Sequence, residues 1–303
     1  LNPNSSEWRS LTKRPTATYK SLEPLVISVF DSVKKQGDQS IIDYTAQFDG
    51  IRQDDFKVKT DEFEKANAAV PEGLKKAIQN AKANIASFHK AQLSDTIKVT
   101  TQPGVECWQE KKPIEIIGLY IPGGSAPLFS TILMLAVPAQ IAGCKEIVLC
   151  SPPSKDGTLP DVVLYTAQLC GVKDVYKVGG IQAIAAMALG TESIPKVHKI
   201  FGPGNQYVTV AKQCATRHHV AIDMPAGPSE LLVAADGTAN PNFIAADLLS
   251  QAEHGKDSQV LFVTTHKPLL EEVARAMETQ LRELPRKEIA AAALKNSKAL
   301  YFK

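Results

Sequence analysis

Two side chains raise a chemical question before any fold is considered. In the stretch LLSQAEHG, residues 248 to 255, Gln251 and His254 stand three apart in a segment that reads as a helix end, with Gly255 where the helix should stop. Spacing of i and i+3 presents both side chains to one point, and an amide oxygen beside an imidazole suits a metal site. Asp247 falls on the same stripe, four residues before Gln251, where it can act as an acceptor behind one of the ligands. A plainer account fits the same spacing. A histidine in the last turn before a glycine interacts well with the helix dipole and the last carbonyls. Gln is an uncharged ligand and two side chains do not complete a four-coordinate site, so spacing alone leaves both accounts open.

The other histidines add little. His218 and His219 are adjacent and point in different directions, His89 lies beside Lys90 on a surface-like helix, and His198 and His266 sit near strand boundaries. The cysteines are Cys107, Cys144, Cys150, Cys170 and Cys214. Their number is odd and no pair has CxxC spacing, so reduced thiols in a cytosol-like compartment are expected, not a disulfide framework. Cys150 ends an expected strand and raises the idea of a thiol nucleophile. No histidine or acid is placed by sequence to activate it, and a small buried core residue is the better reading.

The elements that must position these groups change character along the chain. Residues 22 to 95 read as mostly helical, with apolar residues at three-to-four spacing, an Asp-Gly stop at 49–50 and Pro71 near a helix start. From about residue 96, short apolar runs alternate with amphipathic segments, the βαβ signature of a parallel sheet. Strands are expected at Glu115–Ile121, Glu146–Cys150, Asp174–Val178, Lys199–Phe201, Glu230–Ala234 and Gln259–Thr264. Helices are expected near 128–142, 160–170, 181–189, 205–216, 241–254 and 268–283. The loops after the strands read IPGGSAP, VGGIQ, FGPGNQ and MPAGPSE. Ligands of open parallel sheets bind beyond the carboxyl ends of the strands, where glycine admits a close backbone approach and a helix start offers N–H groups to an anion. No loop has the full GxGxxG spacing, so the standard dinucleotide fingerprint is not present. Taken together, the loops still point to a nucleotide-sized cleft.

Bulk properties exclude several classes. The chain has 303 residues, 44% apolar and 22% charged, which suits two ordinary domains or one large α/β domain. A net charge of +2 with no long basic run gives no reason to expect a nucleic-acid partner. The uncharged stretch from Ile116 to Cys144 is broken by Pro122, Gly123, Gly124, Pro127 and Pro138, so it is no membrane span. The first residues, LNPNSSEWRS, lack a basic start followed by an apolar core, so no signal peptide is expected and the location expected is cytoplasmic.

Four long stretches make the pattern specific: GLYIPGGSAPLFSTILMLAVPAQIAGCKEIVLCSPP, GGIQAIAAMALGTESIPKVHKIFGPGNQYVTVAK, IDMPAGPSELLVAAD and DLLSQAEHGKDSQV. In this order they resemble histidinol dehydrogenase, most strongly from residue 116 to 260. The resemblance implies a zinc enzyme that oxidises L-histidinol to L-histidinal and then to L-histidine, consuming two NAD⁺. It implies a homodimer with an α/β fold: two incomplete Rossmann-like (aldehyde-dehydrogenase-like) α/β/α domains and an N-terminal helical segment. By position, Tyr120, Gln182 and Asn205 would contact NAD, Ser229 would contact substrate, and Gln251 and His254 would bind zinc and substrate. Histidinol carries an amine and an imidazole, so it would itself chelate the metal and be fixed for hydride transfer.

The expected division is an N-terminal arm at 1–19, a discontinuous first α/β domain of 20–119 with 231–303, and an NAD-binding second domain at 120–230. Family members continue past the closing KNSKALYFK, where they carry a Glu-His pair for acid–base work, the other zinc-ligating Asp and His, and a dimerisation tail. The expectation is therefore a truncated chain with no catalytic residue of its own, inactive alone and a weak binder of zinc. Two other readings stand beside it: a folded dinucleotide-binding module without catalysis, and a thiol-dependent aldehyde dehydrogenase using Cys150 or Cys144.

Overall fold

The computed structural model describes residues 3–13, 19–123, 127–225 and 230–303. The chain opens on α1 (Ser5–Leu11), followed by α2 (Tyr19–Gln36), α3 (Asp38–Asp49), α4 (Thr60–Ala69) and α5 (Glu72–Lys90). A hairpin of β1 (Ile97–Gln102) and β2 (Val105–Gln109) comes next. Strands and helices then alternate: β3 (Ile116–Tyr120), α6 (Phe129–Ala142), β4 (Glu146–Cys150), α7 (Asp161–Leu169), β5 (Asp174–Tyr176), α8 (Gly180–Leu189), β6 (Lys199–Phe201), α9 (Gln206–Ala215) and β7 (Ala221–Ile222). The last elements are β8 (Glu230–Ala235), α10 (Pro241–Ala252), β9 (Gln259–Thr264), α11 (Lys267–Glu283), α12 (Lys287–Leu294) and β10 (Lys298–Tyr301).

Contacts divide the chain into two compact units, Tyr19–Pro225 and a second made of Leu1–Thr18 with Ala226–Lys303. In the first, β3 to β7 form a parallel sheet in the order β5-β4-β3-β6-β7. Its inner strands read IIGLY and EIVLC, nearly continuous apolar runs, because both faces are covered. Alternate residues serve opposite faces. Tyr120, Val148 and Cys150 join a cluster with α2, α3, α8 and α9, whereas Ile117, Leu119 and Leu149 join one with α4 to α7. The result is a helix–sheet–helix sandwich.

The grouping of residues 20–119 with 231–303 expected from the sequence differs from this arrangement. Val26, Val29, Phe30 and Val33 of α2 lie buried in the cluster on one face, and Phe63, Ala66 and Ile78 of α4 and α5 lie buried in the cluster on the other. These helices complete the sheet of the Tyr19–Pro225 unit. A helix's apolar stripe reports that it covers something, not which sheet it covers.

In the second unit, β8, β9 and β10 form a parallel sheet in the order β10-β9-β8. Leu248, Val260, Phe262, Leu269 and Val273 make its core with α10 and α11. Gln259 is buried and donates from Nε2 to the Asn296 carbonyl at 3.0 Å, tying β9 to the start of β10. No helix among the described residues is long and apolar enough to cross a membrane.

Phe30 is 2% exposed, so Phe30→Ala is expected to cost about 3–5 kcal/mol through lost burial and the cavity left behind. Met134 on α6 is 54% exposed, and Met134→Ala should change stability by less than about 0.5 kcal/mol. Urea unfolding of the two variants checks the contrast.

Candidate functional site

Strand order places the site. In the Tyr19–Pro225 unit the chain runs from β3 outward through β4 and β5, then returns to the other side of β3 with β6 and β7. The direction of winding reverses between β3 and β6, and ligands of such sheets bind in the crevice beyond that reversal. A cavity of about 660 Å³ opens there, lined by loops from the ends of β3, β4, β5 and β6, including Tyr120, Gly123, Pro152, Gly180 and Asn205, with Asp49 added from α3. That volume is within the range of small-molecule and cofactor sites.

Tyr120 closes β3 and is buried. The Gly180 N–H donates to its hydroxyl at 3.1 Å, and burial pushes the phenol up to about 12. It therefore stays a neutral O–H at ordinary pH, able to donate. Asn205 precedes α9 as its N-cap, its Oδ1 accepting from the Val208 N–H at 3.1 Å, and it lines the cavity. Gln182 does not line it. This residue is 0% exposed on α8, and its Nε2 donates to Asp49 Oδ2 at 3.3 Å. Among the described residues its Oε1 has no hydrogen-bond partner. The structure thus brings Tyr120 and Asn205 to one cavity and sets Gln182 behind Asp49.

Asp49 is a residue that the sequence reading passed over, since Asp-Gly at a helix end reads only as a stop. Burial raises its carboxyl above the usual range. A second group missed from sequence is the pair of Lys212 and Asp223. Lys212 is buried, its ammonium pairs with the Asp223 carboxylate and donates to the Gly202 carbonyl at 2.7 Å. Asp223 in turn accepts from the Gly202 N–H at 2.8 Å. Both polar groups of Gly202 are thereby fixed, and with them the start of the loop that leads to Asn205.

Two of the glycines meet a need beyond the one expected. A Cβ on Gly179 would lie 2.3 Å from Pro152 Cβ, and one on Gly123 would lie 2.5 Å from Pro152 Cγ. At both positions glycine makes room for the loop after β4. Residues 124–126 of the first glycine loop and 226–229 of the last lie outside the described residues, and Ser229 with them.

The thiol reading loses its support. Cys150 is buried, and burial holds its thiol far above the ordinary range. Cys144 is partly buried and raised in the same direction by the same cause. Neither is a ready thiolate.

In the second unit, α10 ends at Ala252, two residues earlier than expected, with Glu253 as its C-cap. His254 lies in the following turn, its N–H donating to the Gln251 carbonyl at 3.2 Å. Gly255 is not among the glycines with positive φ, so it does not end the helix through a left-handed conformation. Gln251 is partly buried and His254 exposed. Asp247 is exposed, and among the described residues no hydrogen bond joins it to either side chain. Also among the described residues, no three His, Cys, Asp or Glu side chains stand together as a metal cluster. One imidazole and one amide oxygen suit half of a tetrahedral zinc shell and not a whole one.

The histidinol dehydrogenase family, described by its sequence model, matches residues 12–303. The histidinol dehydrogenase of Bacteroides thetaiotaomicron is 54% identical over 301 residues, 99% of this chain and 70% of that protein. This chain belongs to the histidinol dehydrogenase family. The histidinol dehydrogenase of Escherichia coli O157:H7 is 52% identical, with 99% of this chain and 69% of that protein covered. A crystal structure of histidinol dehydrogenase from Elizabethkingia anophelis superposes with a TM-score of 0.94 at 54% identity, over 99% of this chain and 70% of that one. Betaine aldehyde dehydrogenase from Staphylococcus aureus shares the fold alone, with a TM-score of 0.50 at 13% identity, over 92% of this chain and 50% of that one. The α/β class with Rossmann-like parallel sheets, expected from sequence, is the one found.

Lys212→Met would leave Asp223 unpaired beneath the Gly202 loop. Because the Asp223 side chain keeps 29% exposure, the expected loss is about 2–3 kcal/mol, below the range for a fully buried pair. Chemical denaturation measures it, and an unchanged midpoint would show that the pair does not hold the loop.

Proposed function

We propose that the protein in which this chain works carries out the NAD-dependent oxidation of L-histidinol, through L-histidinal, to L-histidine. The observation that carries the reading is the family match over residues 12–303, with 54% identity to a relative of that activity's name across 99% of the chain. In the first step the alcohol carbon gives a hydride to NAD⁺ and its hydroxyl loses a proton, yielding the aldehyde and NADH. In the second, water adds to the aldehyde, the hydrate gives a hydride to a second NAD⁺ and loses two protons, and the carboxylate forms. Two NADH result per histidinol.

The cavity at the ends of β3 to β6 is the proposed seat of NAD. Tyr120 supplies a neutral hydroxyl donor there, and Asn205 sits at the start of α9, where the helix dipole favours phosphate. Gln182 acts through Asp49, which it orients. Gln251 and His254 are proposed as two neutral donors to zinc, with Ser229 touching substrate. When bound, the metal would act as a Lewis acid and hold the alcohol in place. In the protein expressed from its own gene, histidinol is expected to drive formation of two NADH per molecule consumed. Chelation should abolish this and added zinc should restore it. Spectrophotometry at the nicotinamide band gives the count. No histidinol-dependent NADH from well-folded protein would overturn the assignment, and NAD-induced thermal stabilisation without turnover would favour a binding module.

The homodimer is proposed as well. Every residue of the β1–β2 ribbon is exposed, with Ile97 and Val99 on one face and Trp108 on the other. A two-stranded ribbon is marginal in water without a surface to pack on. A second copy is the proposed cover, reinforced by the exposed Phe88 and Leu93 beside it in sequence. Trp108→Ser is expected to shift sedimentation from dimer toward monomer. A stable monomer in the unaltered protein would sink the proposal.

A further inference from the structure

The described lining of the cavity holds one charged side chain, Asp49. Its position is electrostatically awkward. It is the last residue of α3, at the negative end of the helix dipole, with Gly50 turning the chain away at φ 74°. It is partly buried, and among the described residues no cation pairs with it to offset that burial. Its hydrogen bond comes from Gln182, a carboxamide with 0% exposure whose own Oε1 goes unmet among the described residues. Burying an amide with half its capacity unused is unfavourable. What the arrangement achieves is to hold one carboxylate at the cavity wall.

Sheets of this winding usually read the ribose of a dinucleotide with an acid that follows the second strand. Here the second strand is β4, and the residues after it are Ser151, Pro152, Pro153 and Ser154, with no acid among them. All four line the cavity. Among the described residues, the one acid that lines the cavity comes instead from α3, outside the strand series.

We propose that Asp49 is the specificity-determining residue of this cleft: its carboxylate accepts hydrogen bonds from the adenosine ribose diol of an unphosphorylated dinucleotide and turns away one phosphorylated at the 2′ position. A carboxylate only accepts, and the two ribose hydroxyls are donors. A 2′-phosphate brings roughly two negative charges and no donor, against Asp49 in a lining whose described residues include no Lys or Arg. The inference rests on the NAD reading of the cavity and deepens it.

Calorimetric titration of the protein with NAD and with NADP tests both levels. The unaltered protein is expected to bind NAD at least about tenfold more tightly than NADP, the loss of one charge-assisted hydrogen bond being about tenfold in affinity. Asp49→Asn should weaken NAD by about tenfold and bring the two dinucleotides within about threefold of each other. Asp49→Glu should keep the discrimination against NADP. If Asp49→Asn does not fold, the unaltered protein still answers, because the 2′-deoxyadenosine analogue of NAD should bind about tenfold more weakly than NAD. Tight NAD binding with an unchanged NAD-to-NADP ratio in Asp49→Asn, or with no loss for the deoxy analogue, overturns the role of Asp49 and leaves the cleft standing. Failure of the unaltered protein to bind either dinucleotide overturns the reading of the cleft and the inference together.

Discussion

The backbone of Tyr120 is the hinge of the arrangement. Gly202 adopts φ 127°, and a Cβ there would lie 2.1 Å from the Tyr120 carbonyl oxygen, so the loop after β6 crosses the end of β3 with no room for a side chain. The same residue's hydroxyl receives the Gly180 N–H from the loop after β5. One residue thus braces two of the loops that wall the cavity, and their separation is set by contact with Tyr120 and not by loop flexibility. Remove that contact and the crevice at the winding reversal loses its shape.

Charge is used sparingly around this crevice, and each instance fixes a backbone or a side chain. Lys212 and Asp223 are placed where both polar groups of Gly202 can be satisfied, which makes a buried ion pair tolerable despite its desolvation. Asp49 is the opposite case. It has no cation to balance it among the described residues, and burial raises its carboxyl above the usual range. Perturbed acids in clefts gather at functional sites. The two arrangements differ in purpose accordingly: one holds the wall, the other faces what the wall encloses.

In the unit of Leu1–Thr18 with Ala226–Lys303, the pair that opened the chemical question sits on a helix end followed by a turn. α10 stops at Ala252 and the backbone continues through an i to i+3 hydrogen bond from His254 to Gln251. That bond keeps the backbones of the two residues within one turn of each other. Their neutrality limits what they hold without further ligands.

Strand and helix positions were legible from residues alone. Each of the six expected strands and six expected helices from residue 115 onward falls within two residues of an observed element, because buried parallel strands are short apolar runs and the helices between them keep a 3.6-residue period. The β1–β2 ribbon was not read from the sequence: Ile97, Val99, Val105 and Cys107 alternate with polar residues only over short runs, and its residues are exposed on both faces, so no buried face reinforces the pattern. β7 and β10 were not read from the sequence either. The four quoted stretches, long and in one order, carried the family. What only the tertiary structure decided is which sheet α2 to α5 cover, that Gly123 and Gly179 face Pro152, and that Asp49, Gln182, Lys212 and Asp223 matter. The physical reason is common to all of these. Local pattern reports that a residue is buried or a backbone is tight, while the identity of the partner depends on segments that only the fold brings together, from a separation of 10 between Lys212 and Gly202 to 133 between Gln182 and Asp49.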